Sequence, residues 1–124
     1  MGFQSSSKAW KKDETAALIA LFETERCLYD PSETDYHDHE KKMLAYSRIC
    51  KIMLRIRPDV TVDEIKYKIK VLQKQYEGEL LHRDISIENG LCTKDSYKPG
   101  MWCFGLLQFL DDYLNIKSVV NTFI

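Results

Sequence analysis

The sequence predicts an all-α bundle of four helices in a single domain. Three observations carry this. Gly and Pro number only 5 and 3 in 124 residues, too few chain-reversing residues for many short strands. Apolar residues recur at three- and four-residue steps in several segments, the period of a helix with one buried face. The strongest of these segments, Thr61 to Arg83, opens with Thr61-x-x-Glu64. That is the spacing of a capping box, in which the Thr hydroxyl accepts from the third helical N–H and the Glu accepts from the Thr N–H.

Residues 1–12 are polar, with a Ser run and Lys8, Lys11 and Lys12, and read as a flexible leader. Asp13 is placed to cap the first helix. Ala17, Leu18, Leu21, Phe22 and Glu25 trace its stripe, which ends near Arg26. Pro31 disfavours helical geometry at Asp30, and Ser32 to His39 is an acidic turn. The second helix is expected from about Asp38 to Arg55, on a stripe of Met43, Tyr46, Ile49, Cys50 and Met53. Asp38 and Glu40 in its first turn and Lys51 and Arg55 in its last suit the helix dipole. Pro58 ends that region. The third helix is expected over 61–82, burying Val62, Ile65, Ile69, Leu72 and Tyr76. Residues 84–100 form a connector, a short strand or irregular loop, with Asn89-Gly90 and Pro99-Gly100 as turn signals. A fourth helix follows, with Trp102, Phe104, Phe109 and Tyr113 in the core. The domain spans 13–115, and 116–124 is a short apolar tail.

Composition narrows the function classes. An apolar fraction of 44% with 30% charged residues is ordinary for a globular domain. No apolar run approaches the ~18 residues of a membrane span, so no membrane partner is expected. The N-terminal residues contain no apolar stretch of a secretory signal. Cys27, Cys50, Cys92 and Cys103 form no CxxC pair and read as free buried thiols. A zinc site joining them to His37 and His39 lacks the spacing of a structural centre, so no metal is expected. There is no Gly-rich phosphate loop, nucleophile elbow or HExxH. Enzymatic activity, cofactors and a small-molecule substrate are not expected.

The third helix carries the candidate site. Lys66, Lys68, Lys70 and Lys74 lie off its apolar stripe, and no acid interrupts Ile65 to Tyr76. A helix packed on one side and cationic on the other can serve as a recognition helix. The same pattern also describes an ordinary solvated helix. In the functional reading Lys66, Lys70 and Lys74 contact phosphates or base edges, and Lys68 snorkels at the flank. Arg55, Arg57 and Arg83 extend the basic face or cap helix ends. Tyr67, Val71 and Gly78 fall opposite the stripe at ~100° per residue. They form a candidate partner-binding surface, an apolar anchor rimmed by lysine. The formal net charge of −1 argues against a strong DNA binder unless charge is segregated onto one face.

Four segments together resemble the MADF domain, of Myb/SANT-like outline. Leu18-Ile19-x-Leu21-Phe22 followed by Leu28-Tyr29-Asp30 resembles its first helix and turn. Tyr36, Lys42 and Ala45-Tyr46-x-x-Ile49 resemble its second helix. Val62-x-x-Ile65-Lys66-x-Lys68-x-Lys70-x-Leu72-x(3)-Tyr76-x-x-Glu79 resembles its third. Trp102-x-Phe104-x(2)-Leu107-x-Phe109-Leu110 resembles its closing motif. The resemblance covers roughly residues 14–113 and implies a three-helix, helix-turn-helix core with a fourth C-terminal helix packed across it. Ile69 and Tyr46 stand where the family often has Trp, and Gln73 and Gly78 stand where it often has Arg. The implied function is a nuclear DNA- or chromatin-binding domain of a transcription or chromatin regulator. Its third helix would sit in the major groove, with Lys66, Lys70, Gln73 and Lys74 facing the duplex and Arg55 and Arg57 beside them. A second reading stays open: a protein-interaction module that keeps the fold and recruits a chromatin or transcription partner, as a homo- or hetero-oligomer.

Overall fold

The computed structural model of the chain describes residues 9–114. Every regular element among them is helical, and none is a strand. They are α1 (Lys12–Thr24), a 3-10 turn (Arg26–Leu28), α2 (His39–Met53), α3 (Val62–Glu88) and a C-terminal 3-10 helix (Phe104–Leu110). The backbone divides into two compact units, residues 1–70 and 71–124, with the boundary inside α3. The expected tail 116–124 and the first eight residues of the expected leader lie outside the described residues.

In the first unit, α1, the 3-10 turn and α2 pack on one another. Leu18, Ile19, Phe22, Leu28, Tyr29, Ala45, Ile49, Cys50, Met53, Val60, Ile65 and Ile69 are buried. The α1 helix starts one residue before the expected cap. Its N-cap is Lys11, whose N–H donates to Glu14 at 2.9 Å, while Asp13 accepts from the Glu14 N–H. Leu28-Tyr29-Asp30 is fixed by its own bonds. The Tyr29 hydroxyl donates to the Glu23 carbonyl at 2.6 Å, and its ring meets Phe22 edge-on at 5.3 Å. Asp30 is buried and accepts from the Ser32 hydroxyl and N–H and from Arg26. Those Ser32 bonds, with Arg26 behind them, hold its carboxyl below the usual range. Asp38 caps α2 by accepting from Lys41 N–H.

The capping box at the start of α3 forms as the sequence predicts. Thr61 N–H donates to Glu64 at 2.9 Å, and Glu64 N–H to the Thr61 hydroxyl at 3.1 Å. The far end of α3 differs from expectation. The helix runs six residues past His82, through part of the expected connector, to Glu88. Gly90 stops it at φ 75°, with Leu91 N–H donating to Ser86 and Gly90 N–H to Ile87. This is a Schellman end, which needs a left-handed residue and so favours Gly. Asn89-Gly90 is thus a helix stop rather than a loop reversal.

In the second unit Leu72, Tyr76, Leu80, Cys103, Phe104, Leu107 and Leu110 are buried. The fourth helix is a 3-10 helix, not the α-helix expected. Phe104, Leu107 and Leu110 recur at three residues, the spacing that a helix with three residues per turn aligns on one face. That register leaves Trp102 at 50% and Leu106 at 45% exposure, so Trp102 is not the core residue expected. The Tyr76 ring lies 5.0 Å from Phe104, and its hydroxyl donates to Asp111. Tyr97 ties the connector to α3. Its hydroxyl donates to Glu79 at 2.6 Å and lies 3.0 Å from His82 Nδ1, while Gly100 N–H also reaches the Glu79 carboxylate.

These two phenols set an alkaline limit on stability. Burial, then donation to Glu79, pushes Tyr97 up to about 12 from an ordinary 10.0. Burial and Asp111 raise Tyr76 in the same sense. The folded chain therefore holds these protons more tightly than the unfolded chain. The stabilisation is complete below pH 10 and is lost as pH rises from about 10 towards about 12. We expect a flat urea midpoint from pH 7 to 9 and a fall above 10. Tyr97→Phe should reduce that fall; an unchanged fall would remove the Tyr97 clasp from the account.

Candidate nucleic-acid interface

Helix α3 supplies the candidate residues, some from each unit. In the first unit Lys70 is exposed and carries no ion pair among the described residues. Lys66 is half-buried. Its amine sits 3.9 Å from Met43 Sδ and 5.7 Å from the Tyr46 ring centre. Its stem covers α2 while its charge stays near the surface. Lys68 lies 5.9 Å from the Trp10 ring centre, the flanking role the sequence gives it. Tyr67 is 70% exposed. In the second unit Lys74 is exposed without an ion pair among the described residues, and Gln73 is half-buried. Gly78 is exposed, and a Cβ built there meets nothing within 4 Å. Val71 is half-buried rather than exposed, so it is a weaker anchor than its helical angle predicts.

Arg55 is exposed in the turn after α2. Arg57 is a correction to the expected cationic set. It is buried, with its Nη1 3.0 Å from Glu14 Oε1 and 3.3 Å from the Ala9 carbonyl. Its guanidinium lies 4.4 Å from the Trp10 ring centre. A guanidinium paired, hydrogen-bonded and stacked inside the domain cannot also neutralise a phosphate. Trp10 and Glu14 are the residues that sequence reasoning passed over. A large aromatic in an otherwise polar leader was the available signal. At the described end of that leader, Ala9 and Trp10 are held by these contacts.

Cys27, Cys50, Cys92 and Cys103 are all free thiols. Burial, with Glu64 nearby, pushes the Cys50 thiol up, which disfavours the reactive thiolate. Among the described residues no group of three or more His, Cys, Asp and Glu could hold a metal ion. No described helix is long and apolar enough to cross a membrane.

The family model described as "alcohol dehydrogenase transcription factor Myb/SANT-like", the MADF DNA-binding domain, matches residues 18–110. No curated protein and no solved structure matches the chain. The matched span opens at Leu18, within α1, and closes at Leu110, the end of the last helix, so it takes in part or all of every helix among the described residues. The family is a DNA-binding one and not an enzyme family. The chain belongs to the MADF family of Myb/SANT-like DNA-binding domains.

Proposed function

We propose that this domain brings a nuclear transcription or chromatin regulator to DNA, with α3 entering the major groove. The observation that carries the reading is a DNA-binding family match over a helix whose Lys70 and Lys74 are exposed and carry no ion pair among the described residues. Lys66 and Lys70 of the first unit, Gln73 and Lys74 of the second, and Arg55 each supply a separate contact. The lysines and Arg55 neutralise phosphates, and Gln73 has the bidentate geometry to read adenine. With so few cations the domain binds weakly alone, so specificity comes from pairing with a second domain or a second copy.

The groove assignment is tested with modified duplexes. Binding should survive a saturating minor-groove drug and be lost on a duplex whose cytosines carry glucosylated hydroxymethyl groups, which fill the major groove. The opposite pattern would overturn it. Gln73 and Gly78 offer a gain-of-function test. A Cβ at Gly78 meets nothing within 4 Å, so a side chain can start there without a clash. Gln73→Arg with Gly78→Arg should raise affinity for random duplex about tenfold or more and steepen its salt dependence by up to about two contacts. Unchanged affinity would place these positions away from the duplex.

A second reading, recruitment of a chromatin or transcription protein through α3, is favoured by the 70% exposure of Tyr67. Tyr67→Ala separates the two. It should weaken protein association severely if Tyr67 is an anchor, and change DNA affinity only slightly if the lysines dominate.

A further inference from the structure

The second helix and the turn after it carry a charge pattern of which the α3 reading uses only Arg55. From Lys41 to Pro58 the chain holds Lys41, Lys42, Arg48, Lys51, Arg55 and Arg57 and no acid. Several of these are engaged. Lys42 lies 4.0 Å from the Tyr36 ring centre, Arg57 is buried, and Arg48 makes a two-point bond to Glu25 at 2.9 and 2.7 Å. Lys41 and Lys51 are exposed and carry no ion pair among the described residues. Leu44, at 54% exposure, and Ile52, at 47%, lie on the same helix. At about 100° per residue, Lys41, Leu44, Lys51 and Ile52 fall within an arc of about 100°, with Arg48 near its middle. The core side of α2 is a different set, Ala45, Ile49, Cys50 and Met53.

A purely electrostatic partner would reward the lysines and gain nothing from two half-exposed aliphatics. Phosphate contacts come from cations and hydrogen-bond donors. Apolar anchors inside a polar rim are instead the anatomy of a protein interface. We infer that the outer face of α2 docks an acidic amphipathic helix of another protein, one with Glu or Asp along its flanks and Leu or Phe at every third or fourth position. Leu44 and Ile52 receive its apolar stripe, Lys41 and Lys51 pair with its acids, and Arg48 is held in place between them by Glu25. None of these residues belongs to the proposed DNA contacts, so this surface stands or falls separately from the α3 reading.

The test uses the full 124-residue chain and three fluorescein-labelled probes, read by anisotropy. One is a 20-residue helical peptide of Glu with Leu and Phe at three- and four-residue steps. The second is a Glu peptide of equal charge without apolar residues, and the third is random-sequence duplex DNA. The expected result is binding of the amphipathic peptide at least about tenfold tighter than the Glu peptide. Leu44→Ser with Ile52→Ser should weaken it about tenfold or more. Lys41→Gln with Lys51→Gln should weaken it and flatten its salt dependence, and keeps the test decisive if the serine variant loses helicity. Duplex affinity should be unchanged throughout. Equal binding of the two peptides, or wild-type peptide affinity in both variants, would overturn the proposal. Loss of duplex binding in step with peptide binding would also overturn it, and would make the face a nucleic-acid contact.

Discussion

Arg57→Ala should lower the unfolding free energy by about 3–5 kcal/mol, the usual cost of stranding one partner of a buried ion pair. The side chains of Arg57 and Glu14 are only 8% and 11% exposed. Removing the guanidinium leaves the Glu14 carboxylate with the Lys11 N–H as its one other described partner. It also takes the cation from beside Trp10 and frees the Ala9 carbonyl. Domains of this kind have about 5–15 kcal/mol in total, so the variant sits near its unfolding threshold. Glu14→Leu combined with Arg57→Met should recover much of the loss, because replacing both charges with apolar groups removes the desolvation cost. Urea denaturation followed by circular dichroism measures both. A loss below about 1 kcal/mol for Arg57→Ala would contradict the structural role of this pair. At a temperature where the variant stays folded, its DNA affinity should match the parent, since Arg57 is occupied inside the domain.

Lys70→Glu with Lys74→Glu should reduce duplex affinity about 100-fold or more and lower the slope of log K against log salt by about two contacts. The fold should tolerate the change within about 0.5 kcal/mol. Both residues are exposed. At each position one exposed charged side chain replaces another. Binding measured on protein with an unchanged urea midpoint separates this effect from unfolding. Wild-type affinity in the folded double variant would remove these lysines from the DNA face.

Local features of this chain were readable and non-local ones were not. The Thr61–Glu64 box and the buried set Ile65, Ile69, Leu72 and Tyr76 depend on residues a few positions apart, and both are present. The end of α3 lies beyond the sequence expectation because Asp84, Ile85, Ser86 and Ile87 are modest helix formers. An established helix nevertheless propagates until something stops it, and the stop is Gly90. The last helix misled because Phe104, Leu107 and Leu110 alternate with other large residues. An α period and a three-residue period then fit the same letters.

The candidate site shows the same division. Exposure of Lys70, Lys74 and Tyr67 follows from helical angle alone. Arg57 has the same residue type as Arg55 two positions earlier, yet its partner Glu14 lies 43 residues away. No local pattern announces that pairing. Val71 shows the limit of a helical wheel, which gives a direction but not the reach of neighbouring side chains. The acid-free run from Lys41 to Pro58 was legible throughout. Its meaning depended on knowing which of its cations were already engaged.

The most direct test of DNA binding is fluorescence anisotropy of the whole chain with random-sequence duplex at low and physiological salt. Micromolar binding that weakens steeply between the two conditions is the predicted result. No binding even at low salt would contradict it and direct attention to protein partners for the exposed faces of α2 and α3.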